Sequence, residues 1–425
     1  MLCSSHVFLR WRRNPLPHPD RIAAARPISA PTGPIVRRRR RCTPDKSQRD
    51  ESLTTDDNER QRIAMSVGVV RETASGERRV ALVPKVVASL VGKKVPVIVE
   101  EGAGLGALIP DSEYVDAGAT IGDPYSADVV LRVSPPSDAE IGKLRSGQKL
   151  IGFLAPRNAD NKIGALRDAG VEAYAVEAIP RISRAQVMDA LSSQANVSGY
   201  KSVIVAADLS TRFFPMLTTA AGTVKPATAL ILGVGVAGLQ ALATAKRLGA
   251  RTTGYDVRPE VAEQVRSVGA QWLDLGIDAA GEGGYARELT EDERAQQQQA
   301  LEDAIKGFDV VITTALVPGR PAPRLVTAAA VEGMKPGSVI VDLAGETGGN
   351  CELTEPGQTV VKHDVTITSP LNLPATMPEH ASELYAKNLF ALIDLMLDES
   401  GALAPDFEDE VIAAACVTRD KEVSA

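Results

Sequence analysis

Short apolar runs alternate with amphipathic segments from Met65 to the end of the chain. Runs of this kind are typical of strands that are buried on both faces of a parallel sheet. Because strand and helix alternate, we predict an α/β protein with doubly wound parallel sheets. The predicted strands are residues 67–70, 95–100, 127–133, 149–154, 172–175, 229–232, 251–255, 309–314 and 338–343, and the longer predicted helices are residues 85–91, 196–214, 239–248, 259–268 and 382–397.

A chain of 425 residues is too long for one ordinary core, so we expect two folded domains. The helix at 196–214 would lead from the first domain into the second, and a last strand at 411–416 would return to the first. We therefore place the first α/β domain at 65–198, completed by 375–425. Residues 199–374 then form the second domain.

Residues 1–64 differ in composition from the rest of the chain. They hold fourteen basic and seven acidic residues, so the remaining residues carry a net charge of −14. A disordered basic tail, an arginine-rich transit peptide and a misassigned start before Met65 all fit this stretch. A basic tail could also bind nucleic acid or lipid. The acidic body argues against nucleic acid as a partner.

The composition excludes two further classes. No run of about 18 consecutive apolar residues is present, so we expect no membrane span. The four cysteines are scattered without metal-ligand spacing and the four histidines form no cluster, so we expect no structural metal.

The stretch 227–258 carries the clearest chemical signal. A predicted buried strand ends at three glycines spaced G-x-G-x-x-G, Gly233, Gly235 and Gly238, and an alanine-rich helix follows. The first glycine allows a tight turn, the second a close approach of a pyrophosphate, and the third close packing of helix on strand. The helix N-terminus offers free N–H groups to the phosphates. This order predicts a dinucleotide site, with a ligand-free glycine turn as the alternative.

Asp256 ends the next strand, where a carboxylate would accept hydrogen bonds from the adenosine ribose. It favours NAD(H), because the 2′-phosphate of NADP(H) would meet a negative charge, although the nearby Arg258 could accommodate that phosphate. We expect further cofactor contacts in the turn, beyond the second strand and in the loops that follow later strands. These residues are Val236, Ala237, Val257, Arg258, Tyr285, Thr314, Ala315 and Leu316.

Residues 275–285 are rich in glycine, alanine and acid and contain one aromatic side chain, Tyr285. They form either a solvated loop or a lid that closes over bound nucleotide.

Residues 180–194 are unusually polar for a segment between apolar runs. If the segment is helical, Gln186 and Asp189 share a face, with Ser192 close by. An amide and a carboxylate can hold a nicotinamide carboxamide or ribose, and the guanidinium of Arg181 can fix a carboxylate or a second ligand.

The same segment allows a structural interpretation. Ser183-x-x-Gln186 has the form of a capping box, which would give both side chains a role at a helix N-terminus only. The residue types alone leave both interpretations open.

Seven short stretches together form a family pattern. They are R-I-S-R-A-Q at 181–186, M-D-A-L-S-S at 188–193, G-V-G-V-A-G-L at 233–239, T-T-A-L-V-P-G-R-P-A-P at 313–323, G-S-V-I-V-D-L-A at 337–344, G-G-N-C at 348–351 and C-V-T-R-D at 416–420. The pattern resembles the NAD(H)-binding component of proton-translocating nicotinamide nucleotide transhydrogenase. It covers the chain from about residue 66 to the end.

The resemblance implies two Rossmann-like domains that flank a cleft, with the first built from both ends of the chain. It implies a hydride-transfer site around the nicotinamide, formed by Arg181, Gln186, Asp189 and Ser192. The glycine turn and Asp256 would hold the rest of NAD(H), and Tyr285 would lie on a mobile loop.

The reaction implied is hydride transfer from NADH to NADP⁺, coupled to proton movement. A beta subunit would hold NADP(H), and a membrane-spanning component would carry the protons. We expect a homodimer that is cytoplasmic and peripheral to the inner membrane through these partners.

Alanine dehydrogenase is the main alternative, since it shares the fold and the entry motif at 77–84. It handles its amino acid with a lysine on one strand and a histidine on the next, where we place Arg132 and Phe153 in this chain. A phenyl ring cannot act as acid or base, which favours the transhydrogenase. A catalytically silent NAD-binding regulator is a further alternative, and the polar segment at 181–192 argues against it.

Overall fold

The computed structural model describes residues 65–157, 160–276, 290–316, 320–398 and 401–419. Within these ranges the chain forms two open, twisted α/β sheets joined by a long helix. None of the described helices is both long enough and apolar enough to cross a membrane.

The first sheet contains six described strands, all parallel. They are β1 (Val67–Val69), β2 (Val97–Val99), β3 (Thr120–Ile121), β4 (Val129–Leu131), β5 (Lys149–Gly152) and β6 (Glu172–Ala175), and they pair in the order β3-β2-β1-β4-β5-β6. The helices between and after them are α1 (Pro84–Gly92), α2 (Asp111–Asp116), α3 (Asp138–Ile141), α4 (Asp160–Asp168) and α5 (Ala190–Leu209). The order reverses between β1 and β4, which is the doubly wound arrangement.

A hairpin of β7 (Leu217–Thr219) and β8 (Gly222–Val224) precedes the second sheet. The second sheet consists of β9 (Thr228–Leu232), β10 (Arg251–Tyr255), β11 (Gln271–Trp272), β12 (Val310–Thr313), β13 (Val339–Asp342), β14 (Thr359–Lys362) and β15 (Val365–Thr368). These described strands pair in the order β11-β10-β9-β12-β13-β15-β14, and β14 alone among them runs antiparallel. The accompanying helices are α6 (Val236–Arg247), α7 (Ala262–Ser267), α8 (Glu291–Ile305) and α9 (Ala328–Glu332).

Two C-terminal helices, α10 (Pro378–Leu395) and α11 (Glu410–Ala415), pack on the first sheet. Leu389 and Val411 lie in the same apolar core as Val69 and Leu131 of the strands. The Tyr385 hydroxyl in α10 donates a hydrogen bond of 2.8 Å to a backbone oxygen at the end of β4. The C-terminal part of the chain therefore completes the first core.

The strand predicted at 411–416 is wrong, because these residues form α11. The Asp409 carboxylate caps the helix by accepting a hydrogen bond from the Val411 N–H at 2.8 Å. Three successive alanines favour helix over strand. Only Cys416 pairs with the first sheet, in a single antiparallel bridge to Tyr174.

The helix predicted at 196–214 begins earlier and ends earlier, as α5. Asp189 caps it, since its carboxylate accepts a hydrogen bond from the Ser192 N–H at 2.9 Å. Ala190 at the start of α5 belongs to the core of the first sheet, whereas Val203 belongs to that of the second. One helix is thus shared by both cores.

Helix α5 crosses α6 at Gly199, where the two backbones are in contact. A Cβ atom on Gly199 would overlap the carbonyl oxygen of Ala237 in the first turn of α6. No side chain larger than hydrogen fits between the helices without moving one of them.

We expect Gly199→Ala to lower the free energy of unfolding by about 1–3 kcal/mol, the usual cost of overpacking a close contact. The matched control is Gly164→Ala in α4, where a Cβ atom would meet nothing within 4 Å. That change should stabilise the helix by roughly 0.5–1 kcal/mol. Urea unfolding of both variants checks this, and equal effects at the two positions would contradict the tight crossing.

Candidate functional site

The strand order of the second sheet reverses between β9 and β12. The crevice outside the carboxyl ends of the strands at such a point is where open α/β sheets bind ligands. The glycine turn after β9 and the loop after β12 meet there, since the Thr314 hydroxyl donates a hydrogen bond of 2.7 Å to the Gly233 carbonyl.

The three glycines of the turn are required for different reasons. Gly233 has a φ of +87°, and a Cβ atom there would lie 2.9 Å from the Ala315 nitrogen. A Cβ atom on Gly238 would overlap the Gly233 carbonyl oxygen. On Gly235 a Cβ atom would meet nothing within 4 Å, so the protein itself does not need a glycine there. Room for a ligand beside the backbone is the remaining requirement.

The surface around the turn fits a dinucleotide. No side chain within the described residues caps the N-terminus of α6, so its first N–H groups remain available to a phosphate. Three apolar side chains rim the crevice with large exposed fractions: 40% for Val236, 58% for Val257 and 53% for Leu316. A bound cofactor would cover this apolar surface. Val236, Ala237 and Val257 thus lie where the sequence predicts cofactor contacts.

Asp256 lies at the end of β10 and faces the turn. Its carboxylate accepts a hydrogen bond of 2.7 Å from the Val234 N–H and forms an ion pair of 3.0 Å with Arg258. Burial would raise the pKa of Asp256, but the hydrogen bonds and charge of Arg258 and the Val234 N–H bring the pKa below its ordinary value. The carboxylate is therefore ionised and ready to accept ribose hydroxyls. Arg258 is half exposed and bound to Asp256.

The loops after β12 and β13 are joined by two residues that the sequence pattern did not single out. Asn350 is fully buried, accepts a hydrogen bond of 3.1 Å from the Ala315 N–H and donates one of 2.9 Å to the Ala315 carbonyl. Asp342 is also fully buried and accepts hydrogen bonds from Thr313, Ala344, Cys351 and Thr354. No local spacing could reveal these roles, since the partners come from separate loops.

The polar segment 180–194 is not one helix. Ser183–Met188 forms a 3₁₀ helix, Asp189 breaks it, and α5 follows. The capping box of Ser183 and Gln186 is absent, because Ile182 occupies the cap position and no side chain caps that helix.

The four predicted hydride-site residues lie within this short segment, in two different states. Asp189 and Ser192 are half-buried or at the surface of the first turn, and the Ser192 hydroxyl donates a hydrogen bond of 2.6 Å to the Asp189 carboxylate. Arg181 and Gln186 are exposed, and their side chains make no hydrogen bond within the described part of the chain. The guanidinium and the amide are therefore free to bind a ligand.

Helix α5 relates this segment to the glycine turn. Ser192 precedes Gly199 by seven residues, which is about 10 Å along a helix at 1.5 Å per residue. Gly199 is in backbone contact with Ala237, next to Gly235. The separation between the polar segment and the phosphate-binding turn is thus fixed by two helices in direct contact.

Arg132 and Phe153, which we place at the alanine dehydrogenase positions, are engaged in other contacts. The Arg132 guanidinium is buried, with ion pairs of 3.3 Å to Glu140 and 3.7 Å to Glu72. Phe153 stacks on Tyr385 with ring centroids 5.3 Å apart. Neither side chain is available to an amino-acid substrate, so Arg132 is not the residue that would handle one.

Tyr285 and most of the predicted lid lie outside the described residues, as do residues 317–319 of the loop after Leu316.

We expect Gly235→Ala to weaken NADH binding by about tenfold or more, or about 1.4 kcal/mol, while the thermal midpoint changes little. The added methyl group would fill only the space in front of the α6 N-terminus. The Gly235 φ of −78° also suits alanine. The matched control is Gly238→Ala, which should lower stability because its methyl group meets backbone. Calorimetric titration and thermal unfolding measure both, and unchanged NADH affinity of Gly235→Ala would contradict the site.

Comparisons with known proteins agree with this geometry. The family model described as alanine dehydrogenase/PNT, N-terminal domain, matches residues 68–198, and the one described as alanine dehydrogenase/PNT, C-terminal domain, matches residues 202–425.

Transhydrogenase subunits are among the similar proteins. An NAD(P) transhydrogenase subunit alpha of Rhodospirillum rubrum is 46% identical over 371 residues, which cover 84% of this chain and 97% of that protein. The crystal structure of transhydrogenase from Sinorhizobium meliloti matches with a TM-score of 0.75 at 45% identity, covering 82% of this chain and 97% of that one.

Alanine dehydrogenase of Mycobacterium tuberculosis is more distant, at 32% identity over 333 residues, which cover 74% of this chain and 83% of that protein. The resemblance stated from the seven stretches is confirmed, and so is the α/β fold. The chain belongs to the alanine dehydrogenase/PNT family, in which NAD(P) transhydrogenase alpha subunits resemble it more than alanine dehydrogenases do.

Proposed function

We propose that this chain is the NAD(H)-binding alpha subunit of a proton-translocating transhydrogenase and that it transfers hydride between NADH and NADP⁺ held by a beta subunit. The observation that carries the proposal is the pairing of two sites on touching helices. One is the glycine turn with its open position at Gly235, and the other is the polar segment at the start of α5.

The residues of the two sites divide the work. The first N–H groups of α6 would bind the pyrophosphate, and the Asp256 carboxylate would bind the adenosine ribose. The apolar side chains of Val236, Val257 and Leu316 would cover the cofactor and exclude water.

At the other site, Gln186 would hold the nicotinamide carboxamide through its amide, and Arg181 would bind a second anionic group. Asp189 would hold the nicotinamide ribose through its carboxylate, which the Ser192 hydroxyl keeps in place. The dihydronicotinamide supplies the hydride, and transfer to a second nicotinamide ring needs no proton from the protein. The protein's role is then to place the two rings in register and to exclude water.

The partners follow from the same proposal. The described residues carry one G-x-G-x-x-G turn, so NADP(H) would be held by the beta subunit, and a membrane-spanning component would conduct protons. We propose that the chain is a homodimer in the cytoplasm, peripheral to the inner membrane through those subunits. The β7–β8 hairpin supports self-association, because Met216 and Val224 at its two ends expose 62% and 46% of their surface.

The alanine dehydrogenase alternative is disfavoured by one observation. The Ser134 hydroxyl, not the Arg132 guanidinium, reaches the Glu77 carboxylate of the entry motif, at 3.3 Å. A hydroxyl at this position offers no cation for the carboxylate of an amino acid.

The isolated chain should bind NADH but neither oxidise alanine nor reduce NADP⁺. Hydride transfer should appear only when an NADP(H)-binding beta subunit is added. Stopped-flow absorbance with an NADP⁺ analogue of distinct reduced spectrum measures the transfer. Alanine-dependent production of NADH by the isolated chain would overturn the proposal in favour of an amino-acid dehydrogenase. Binding of NADH without transfer in the complete complex would favour a silent regulator.

Gln186→Asn should slow hydride transfer by about a hundredfold, because a ring displaced by about 1 Å loses about this factor in rate. NADH affinity should change much less, since most of the cofactor is bound elsewhere. Val187→Ala is a suitable control, because Val187 is a neighbouring exposed side chain without polar atoms. Equal transfer rates for the two variants would show that the Gln186 amide does not orient the ring.

A further inference from the structure

Four residues that are distant in sequence form a buried polar cluster beside the proposed site. Glu77, Arg79, Gln194 and Asn372 are joined by side-chain hydrogen bonds, and we name them the junction cluster. Arg79 and Gln194 expose only 8% and 6% of their surface, and the Glu77 side chain exposes 1%. None of them belongs to the site described above.

Arg79 is the centre of the cluster. Its guanidinium donates two hydrogen bonds to the Glu77 carboxylate, at 2.8 and 2.6 Å. It also donates one of 2.9 Å to the Gln194 side-chain oxygen and one of 3.2 Å to that of Asn372. A planar guanidinium can serve these three partners at once, whereas an ammonium group has one centre and no fork.

The partners of Arg79 are themselves tied to other elements. The Asn372 amide donates a hydrogen bond of 3.1 Å back to the Glu77 carboxylate. The Gln194 amide donates one of 3.1 Å to the Ala381 carbonyl in α10. Burial would raise the pKa of Glu77, but the bonds and charge of Arg79 lower it below the ordinary value, so the carboxylate stays ionised.

The cluster lies where the chain passes between the two sheets. Gln194 is in α5, which leads from the first core into the second. Asn372 lies between β15 of the second sheet and α10, which returns to the first core, and its φ of +47° marks a sharp change of direction. Arg79 thus holds both crossings of the chain in a single hydrogen-bonded unit.

Gln194 also lies directly beside the proposed hydride site. It follows Ser192 by two residues, near the helical turn that Asp189 caps. A shift of α5 at Gln194 would move Asp189 and Ser192 relative to the glycine turn, because α5 touches α6 at Gly199, little more than one turn further on.

We propose that Arg79 is a positioning residue for hydride transfer, which sets the placement of the first turn of α5 by binding both crossings between the sheets. Arg79 need not touch cofactor for this role. The proposal rests on the proposed function of the chain, since it assigns Arg79 a role in that reaction.

Arg79→Lys tests the proposal, because it retains the charge and removes the fork. The matched control is Arg132→Lys. Arg132 is a similarly buried arginine with two carboxylate partners, Glu72 and Glu140, and its described side-chain partners all lie within the first sheet's loops. Both changes should lower the thermal midpoint, so stability alone does not distinguish them.

Two measurements do distinguish them. With the beta subunit present and NADH saturating, Arg79→Lys should transfer hydride roughly tenfold to a hundredfold more slowly than Arg132→Lys, with little change in the NADH dissociation constant. In the isolated chain, the fluorescence of bound dihydronicotinamide should change in Arg79→Lys and remain as in the parent in Arg132→Lys. Gln194→Met, which keeps the Glu77–Arg79 pair, should show a smaller change in the same direction and serves if Arg79→Lys does not fold.

Equal rates and equal bound-NADH fluorescence for the Arg79 and Arg132 variants would overturn the positioning role. If the parent chain with the beta subunit transfers no hydride, the proposed function fails instead. The fluorescence comparison then still decides whether Arg79 places the first turn of α5 against bound cofactor.

Discussion

The contact between Gly199 and the Ala237 carbonyl is the constraint on which the geometry of this protein depends. Helix α5 contributes its first turn to one core and its last turns to the other, so its position determines how the two sheets are arranged. Because a glycine lets the backbones of α5 and α6 touch, the start of α6 is held at a defined point along α5. A phosphate-binding turn and a polar segment from different regions of the chain thereby acquire a fixed separation, which is what positioning of a two-ended cofactor requires.

The polar residues of the scaffold and those of the candidate site are treated in opposite ways. Asp342, Asn350 and Arg132 are fully or almost fully buried, and each has its hydrogen-bonding capacity met by several partners. A buried polar group left without partners costs free energy, so these networks also fix the loops around the crevice. Arg181 and Gln186, in contrast, are exposed, and no described residue engages their side chains. Rigid support with available donors at the surface is the arrangement expected of a binding site.

The sequence predicts the second sheet and its glycine turn well, because their signals are local. A buried apolar run, three glycines and an acid follow one another within one strand–helix–strand unit, and the limits predicted for β6 and β10 are those observed. The strand predicted at 411–416 fails because Val411 and Ile412 favour a strand, while the cap from Asp409 and the following alanines, which are equally local, favour a helix. The predicted start of α5 is too late because Asp189 is at once a cap and a candidate ligand. Nothing local could reveal the junction cluster, since Arg79 and Asn372 are 293 positions apart.

Two kinds of relatives with different named activities share this fold, so the fold by itself does not select the chemistry. The selection has to come from side chains at the carboxyl edges of the sheets. In the first sheet those side chains are already bound to one another: Arg132 to two glutamates, Phe153 to Tyr385, and Arg79 to Glu77. An amino-acid substrate would have to displace an internal carboxylate from Arg79 to obtain a cation for its own. The exposed donors lie instead on the segment before α5, which suits a ring that must meet a second nucleotide on another subunit.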